Sequence, residues 1–171
     1  INQAIIDGAK NNLGIGAAVG LAINQHRLTH RRLSILATAA QLGIPVTSHI
    51  AIGTDIIHMH PKVDGKALGD GSLRDFRTLT SVVATLDRGI YLNFGSAVVL
   101  PEVFLKAVSL ARNLGHPLRS LTTVNLDFLQ HYRPLTNVVH RPTMHGGKGY
   151  NLTGHMEIMV PLLFAAVLEE L

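Results

Sequence analysis

The chain has 171 residues, of which 47% are hydrophobic and only 15% are charged. This length is typical of one domain, so we expect a single domain over residues 1–171 with a core that needs no metal or disulfide. Cysteine is absent, which excludes disulfides, thiolate chemistry and cysteine-based zinc sites. The first residue is Ile, so we expect the natural N-terminus to lie upstream.

The formal net charge is +4, but basic residues are scattered apart from short clusters at 26–27 and 30–32. No aromatic-rich motif accompanies them, so we expect no nucleic-acid partner. No signal peptide is visible, and no apolar run is long enough to span a membrane; residues 158–168, the longest, are expected to form a buried helix. We therefore expect a cytoplasmic protein, and the high aliphatic content favours a homo-oligomer.

The first half of the chain predicts helix, strand and helix. Residues 12–23 are rich in Gly and Ala and predict a loop that leads into a helix. Residues 33–42 have helical spacing and stop before a glycine, as helices commonly do. Residues 44–52 are predicted to form a strand. A long polar loop follows, and then a helix from Ser72, its expected N-cap, to about Leu86.

The second half continues the alternation. Residues 90–94 predict a strand, and a helix follows from Pro101 to Gly115. Residues 118–126 and 137–139 predict a third and a fourth strand, and the last helix is expected to start near Thr153. This order predicts an α/β fold: a three-layer Rossmann-like domain with a mostly parallel sheet and helices on both faces.

The pattern is lost abruptly in two places, near residues 25–32 and 143–148. Two interpretations stay open for both. Each stretch is a mobile loop, or a place where residues are missing from the chain.

Small and polar residues follow the predicted strands. In open α/β sheets, ligands bind beyond the carboxyl ends of the strands. Three such segments lie at or just after the ends of predicted strands: Gly53-Thr54-Asp55, Asn93-Phe94-Gly95-Ser96 and Asn125-Leu126-Asp127. They offer close backbone approach and hydrogen bonds to ribose, phosphate or amide groups, so this edge is the predicted ligand site.

Two glycine-containing turns are candidate phosphate cradles. Gly14, Gly16 and Gly20 precede or open a helix, where glycines permit close approach and the helix dipole favours an anion. The spacing is G-x-G-x-x-x-G, and no strand precedes it. The turn at Gly95 and Ser96 is an equally good candidate. Tight packing is the competing explanation for both.

His58-Met59-His60 is a candidate metal or proton-transfer site. In an extended segment these two histidines would share a face and could bind one metal, with Asp55 or Asp64 as a further ligand. The alternative is a polar loop in which the histidines hydrogen-bond to backbone or substrate.

Several segments together resemble an uncharacterised bacterial family related to deoxyhypusine synthase. They are residues 53–61; Asp64-Gly65 with Gly69-Asp70; residues 72–76; residues 93–96 with the following helix; and Leu13-Gly14 at the start of a helix. They cover about half of the chain. The resemblance implies a Rossmann-like domain that binds NAD near these loops, usually in a homotetramer.

The resemblance also implies site residues. It places Asp64, Gly65 and Asp70 near nicotinamide or substrate, and Gly95 and Ser96 near the cofactor. The synthase forms an imine on a lysine in a Trp-Gly-Lys segment, and this chain has no Trp. It therefore departs from the family at the residue that performs the chemistry.

Three functional hypotheses follow. The first is an NAD-binding protein, an NAD-dependent transferase or oxidoreductase if it is an enzyme. Phosphates would lie on Gly95 and Ser96, and the catalytic residues would be His58, His60 and Asp64, with a histidine as proton carrier. Its cofactor residues are Gly14, Gly16, Gly53, Thr54, Asp55, Asp70, Asn93, Gly95, Ser96 and Asp127. The second is a metal-dependent hydrolase or lyase at His58 and His60. The third is an oligomeric ligand-binding protein without turnover.

Overall fold

A computed structural model describes all residues from Ile1 to Leu171. The chain is an α/β protein with seven α-helices and a three-stranded parallel sheet, which confirms the predicted class and the parallel strands. It divides into two compact units, an N-terminal unit, Ile1–Ser81, and a C-terminal unit, Val82–Leu171. A single domain over 1–171 stays a prediction. None of the helices combines the length and the apolar character that crossing a membrane requires.

The N-terminal unit is helical. Its helices are α1 (Asn2–Lys10), α2 (Ile15–Gln25), α3 (Ile35–Leu42) and α4 (Gly65–Ala84), the last of which runs past the end of the unit. Ile5, Ile15, Val19, Ala67 and Leu68 form the core between α1, α2 and α4. Small residues let α1 and α2 approach closely, since a Cβ added at Gly8 would lie 2.3 Å from the Cβ of Ala18.

Helices α2 and α3 confirm the sequence-based prediction. Gly14 is the N-cap of α2, as expected for a loop leading into a helix. Ser34 caps α3 by accepting a hydrogen bond from the Ala37 backbone N–H at 3.2 Å. Gly43 ends it in the left-handed conformation, with φ of +67°, which glycine adopts without strain.

Two predictions in this unit are wrong. Residues 44–52 form no strand; the backbone N–H of Ser48 donates to the carboxylate of Asp75 at 2.8 Å, so a side chain takes the bond that a neighbouring strand would supply. Helix α4 begins at Gly65 and not at Ser72. Its start is fixed by Asp64, whose Oδ1 accepts from the Ala67 backbone N–H at 3.0 Å.

The C-terminal unit is built on the sheet. Its strands are β1 (Ile90–Phe94), β2 (Thr122–Asp127) and β3 (Lys148–Thr153), parallel and in the spatial order β1-β2-β3. Helix α5 (Val99–Asn113) connects β1 to β2. The short helix α6 (Tyr132–Pro134), a π-helical turn (Leu135–His140) and a 3-10 turn (Arg141–Thr143) connect β2 to β3, and helix α7 (Met156–Glu169) follows β3.

The predicted fourth strand at residues 137–139 is wrong, because these residues lie in the π-helical turn. Their side chains are buried against the sheet, and a short buried apolar run looks the same in a strand and in a helix. The last strand is instead β3, in a stretch that we assigned to the loop before the final helix. The predicted strand at 90–94 and the helix after it are confirmed, and the strand predicted at 118–126 is present but begins at Thr122. The last helix is also present, but the prediction that residues 158–168 are buried is wrong, because no residue of α7 is buried.

The two stretches where the pattern is lost have defined turns. One contains a 3-10 helix, Arg31–Leu33, and the other follows the 3-10 turn Arg141–Thr143 and leads into β3.

Helices cover one face of the sheet. Tyr91 of β1 stacks on Phe104 of α5, with ring centroids 3.5 Å apart and planes within 4°. On the same face, a Cβ added at Gly149 would lie 2.3 Å from the backbone oxygen of Val139 in the π-helical turn. The opposite face carries exposed apolar side chains, so helices on both faces stay a prediction.

Candidate functional site

Three asparagines lie side by side across the sheet, near the carboxyl ends of its strands. Asn93 of β1 is in register with Asn125 of β2, and Asn125 with Asn151 of β3. The Asn93 Nδ2 donates to the Asn125 Oδ1 at 2.8 Å, and the Asn125 Nδ2 donates to the Asn151 Oδ1 at 2.9 Å. We call these three side chains the asparagine row. It connects all three strands through their amide groups.

Gln130 extends the asparagine row to the ends of the strands. Its Oε1 accepts from the Asn125 Nδ2 at 3.1 Å. Its Nε2 donates to the Asp127 backbone oxygen at 3.0 Å and to the Thr153 Oγ1 at 2.9 Å. The carboxyl edge of β2 and β3 is therefore lined with polar groups that are held in fixed directions.

One atom of this network has no partner. Asn93 is 1% exposed, and its Oδ1 accepts no hydrogen bond, while its Nδ2 donates to both Asn125 and the backbone oxygen of Ser96. Rotating the amide by half a turn would set its oxygen against those two oxygens, so the orientation is fixed by its neighbours. A buried acceptor without a donor costs about 1–3 kcal/mol. A donor from a ligand or water would recover that free energy.

The turn after β1 is open. Gly95 has φ of +59°, and no heavy atom lies within 4 Å of the position of an added Cβ. Its N–H donates to the Leu126 backbone oxygen at 3.0 Å, which ties the turn to β2. The Ser96 Oγ accepts from the Leu100 backbone N–H at 3.3 Å at the start of α5. The predicted pair, Gly95 and Ser96, thus lies at the carboxyl edge of the sheet, beside Asn93.

An aromatic pair lies at the same edge. Phe128 follows β2 and His155 follows β3, and their rings stack with centroids 4.4 Å apart and planes 24° from parallel. The residues that precede the two rings are also bonded, because the Gly154 N–H donates to the Asp127 backbone oxygen at 3.3 Å. Phe128 is 54% exposed, so the pair offers a flat apolar surface to a ring.

Two carboxylates nearby hold local structure. The Asp127 Oδ1 accepts from the Leu129 backbone N–H at 3.4 Å. The Glu102 Oε1 accepts from the Asn137 Nδ2 at 2.8 Å, and the Glu102 Oε2 accepts from the Lys106 Nζ at 3.2 Å. Glu102 therefore joins α5 to the π-helical turn.

The first glycine turn, in the N-terminal unit, is filled by the chain itself. The Asp75 carboxylate is 2% exposed, and its Oδ2 accepts from the backbone N–H groups of Gly16 at 3.0 Å and Ser48 at 2.8 Å. A Cβ added at Gly14 would lie 1.8 Å from the Asp75 Oδ1. A carboxylate thus lies at the N-terminus of α2, where we predicted a phosphate at Gly14 and Gly16.

Burial raises the pKa of the Asp75 carboxyl above its ordinary value, although the hydrogen bonds from Gly16 and Ser48 oppose that rise. Nearby, the Thr47 Oγ1 and the His49 Nε2 are 3.0 Å apart. Burial lowers the pKa of His49, and the charge of Asp75 acts in the opposite direction. From the sequence we expected Asp75 only to form a capping box with Ser72, which is wrong because both residues lie inside α4; its contact with the start of α2 was missed. The signal was its spacing of seven from Leu68, which puts a charged residue on the buried face of α4.

The segment around His58 is a compact turn. The His58 Nδ1 accepts from the backbone N–H groups of Gly53 at 3.0 Å and Asp55 at 3.3 Å. The Thr54 Oγ1 donates to the Ala51 backbone oxygen at 2.7 Å. The His60 Nδ1 accepts from the Lys62 backbone N–H at 3.1 Å. Both imidazoles therefore bond to backbone through Nδ1, and the buried Nε2 of His58 has no partner.

This turn lacks the geometry of the metal hypothesis. Residues Ile56–Met59 form a 3-10 helix, so the assumption of an extended segment with both histidines on one face is wrong. No three His, Asp or Glu side chains of the chain lie close enough together to hold a metal ion. Asp64 caps α4, and the Asp70 Oδ2 pairs with the Arg74 Nε at 2.9 Å within that helix.

The predicted residues thus fall into separate groups. Asn93, Gly95, Ser96 and Asp127 come together at the carboxyl edge of the sheet, in the C-terminal unit. The others lie in the N-terminal unit, on α2, on α4 and in the His58 turn.

A comparison of the chain with known protein families, curated proteins and solved structures finds no match.

Proposed function

We propose that the C-terminal unit binds NAD or a related nucleotide at the carboxyl edge of its sheet. The observation that carries this proposal is the Asn93 Oδ1, a buried acceptor without a donor, next to the open turn at Gly95. Ligands of open α/β sheets bind at this edge, where strands end in turns that lead into helices. A donor group of the ligand, or a water that it holds, supplies the hydrogen bond that the protein lacks.

The chemistry of the edge favours a planar ring with a polar rim. The Phe128–His155 pair offers a stacking surface, as bases and nicotinamide require. The exposed amide of Asn151 offers a donor and an acceptor to carboxamide or ring-nitrogen groups. Phosphates would lie in the open space at the turn of Gly95, which precedes the N-terminus of α5. The resemblance to the deoxyhypusine synthase family points to the same cofactor.

Binding, and not a particular reaction, is what these residues support. The asparagine row and Gln130 are amides, which neither gain nor lose a proton near neutral pH. The proposal therefore includes both an NAD-dependent enzyme and a ligand-binding protein without turnover. Catalytic roles for His58, His60 and Asp64 stay predictions.

Isothermal titration calorimetry with NAD, NADH, NADP and AMP tests the proposal directly. We expect saturable binding of at least one nucleotide by the whole chain. Perturbation of the Asn93 and Asn125 side-chain amide resonances in NMR spectra should accompany it. Failure of all four nucleotides to bind at millimolar concentration would rule the proposal out.

A pair of variants locates the site. Phe128→Ala removes the stacking surface, and we expect it to weaken nucleotide binding roughly tenfold, the order of magnitude of one stacked base. Leu114→Ala is the control, because Leu114 is 67% exposed at the other end of α5. Equal affinity of the Phe128 variant and the wild type would place the ligand elsewhere.

A further inference from the structure

Helix α7 has no partner in the chain. It is apolar on all sides, and none of its residues is buried. Leu162 is 62% exposed and Phe164 is 64% exposed. Between Met156 and Leu168 its only charged residue is Glu157. A helix that is hydrophobic all round is stable in water only when another surface covers it.

The sheet of the same unit also lacks a covering layer on one face. We call this face, which lies opposite the face that carries the asparagine row, the open face. It consists of Ile90, Leu92 and Phe94 from β1, Thr122, Val124 and Leu126 from β2, and Lys148, Tyr150 and Leu152 from β3. Ile90 is 61% exposed and Tyr150 is 48% exposed, while Leu126, in the centre, is buried. Parallel sheets normally carry helices on both faces.

The helix and the open face match in length and in charge. Fourteen helical residues span about 21 Å, and a six-residue strand spans about 20 Å. If α7 lies antiparallel to the strands, Glu169 and Glu170 at its C-terminal end reach the amino edge of the sheet. Lys148, the only charged residue of the open face, is at that edge. This alignment therefore pairs opposite charges at one end and apolar groups along the rest.

The direction of α7 is fixed where it leaves β3. Two residues separate the strand from the helix. His155 stacks on Phe128, the Gly154 N–H donates to the Asp127 backbone oxygen, and the Met159 side chain contacts Gly154. With its start held in this way, α7 leaves the open face of its own chain uncovered.

We infer that α7 of one copy of this chain covers the open face of a second copy, and that the exchange is reciprocal. A two-fold pair repeats the contact, since each copy offers the same helix and the same face. Two footprints of about 20 by 10 Å, each counted on both surfaces, bury about 800 Å², which is at the low end for a specific interface. The predicted homo-oligomer thereby acquires a defined contact, and a second helical layer covers the sheet.

Sedimentation over a range of protein concentrations tests the inference. We expect the wild type to be a dimer at micromolar concentration and Leu162→Glu to dissociate at least about 100-fold more readily. Leu114→Glu is the matched control, since Leu114 is similarly exposed in the same unit but is the C-cap of α5, and the variant should sediment as the wild type does. A wild type that is monomeric at 100 micromolar or so would overturn the inference.

A cross-linking experiment separates exchange between copies from folding back within one copy. The chain has no cysteine, so Tyr150→Cys and Leu162→Cys each introduce the sole thiol. Equal amounts of the two single variants are mixed and oxidised. We expect a disulfide-linked dimer that contains one copy of each. If only the double variant forms a disulfide, and does so as a monomer, α7 covers its own sheet and the inference is wrong. These substitutions add no charge, so this test holds even if Leu162→Glu does not fold.

Discussion

Each unit of the protein contains a glycine turn at the start of a helix, and the two turns differ in what lies against them. In the N-terminal unit, the turn at Gly14 is filled by the carboxylate of Asp75, which accepts from the N–H groups of Gly16 and Ser48. In the C-terminal unit, nothing lies within 4 Å of a Cβ placed on Gly95. Nearby, the Asn93 Oδ1 has no donor. The turn at Gly14 is therefore occupied by a side chain of the protein, whereas the turn at Gly95 has free space and a buried acceptor without a donor beside it.

The comparison shows why a glycine motif alone does not identify an anion site. Both turns have the backbone freedom that a phosphate would need. The residue that decides the outcome at Gly16 is Asp75, which lies 59 positions away in the sequence. The N–H groups at the N-terminus of a helix bind phosphates and carboxylates alike, and a carboxylate of the same chain is held close to them by the fold.

The largest expected effect is from removal of the carboxylate that fills the first turn. Asp75→Ala leaves the buried N–H groups of Gly16 and Ser48 without an acceptor, and we expect the free energy of unfolding to fall by about 3 kcal/mol. Chemical denaturation followed by far-UV circular dichroism measures it. Asp70→Ala in the same helix removes only a partly exposed ion pair with Arg74 and should change stability by less than about 0.5 kcal/mol. Similar losses in both variants would contradict the assignment.

The second effect concerns Gly14 and depends on the first. Gly14→Ala forces a Cβ against the Asp75 Oδ1, and we expect it to lower the stability of the wild type by about 2 kcal/mol. In the Asp75→Ala background the obstacle is gone, and the same substitution should cost less than about 0.5 kcal/mol. A double-mutant cycle measures this coupling. Additive losses would show that the carboxylate does not limit the space at Gly14.

The third effect is a loss of stability at high pH in the C-terminal unit. Burial raises the pKa of Tyr91 to about 12 from 10.0. The unfolded state therefore releases this proton at lower pH than the folded state, and stability that is complete below pH 10 decreases as the pH rises towards 12. We expect Tyr91 to contribute a loss of about 1.4 kcal/mol between about pH 9 and about pH 11.

Tyr91→Phe isolates this contribution, because phenylalanine keeps the stacking on Phe104 and has no proton to lose. Denaturation curves at both pH values compare the variant with the wild type. An equal loss of stability in the two proteins would show that Tyr91 is not the group responsible.

The smallest effect separates the second turn from the first. Gly95 has free space around it but a φ of +59°, so Gly95→Ala is strained by its backbone and should cost about 1 kcal/mol. Gly95→Asn should cost less, because asparagine adopts the left-handed conformation more readily. At Gly14 the order of the two variants should reverse, since the larger side chain meets Asp75. Thermal denaturation of the four proteins tests this contrast.

The sequence predicted the C-terminal unit better than the N-terminal one. Residues 90–94 and the helix after them have clear periodicity and clear boundaries, and both are where we expected them. Residues 44–52 alternate like a strand, but a strand needs a neighbour, and the partner of Ser48 is a side chain from α4. Residues 137–139 were misassigned for the opposite reason, because burial makes a helical turn as apolar as a strand.

The candidate site was predicted in part. Asn93, Gly95, Ser96, Asn125 and Asp127 were identifiable because they lie at or just after the predicted ends of strands. Gln130, Asn151 and the Phe128–His155 pair were missed, since their relevance depends on the register of β2 and β3. That register is a pairing between distant segments, which no local pattern encodes.

The asparagine row also helps to determine the register in which the strands pair when the sheet forms. If β3 slid by two residues along β2, the same faces would stay buried, but Asn125 would lie opposite Gly149 or Thr153 in place of Asn151. The apolar side chains would tolerate that error, whereas the amide of Asn125 would lose a partner inside the protein. Polar groups in the interior thus discriminate between sheets that hydrophobic burial would make almost equally stable.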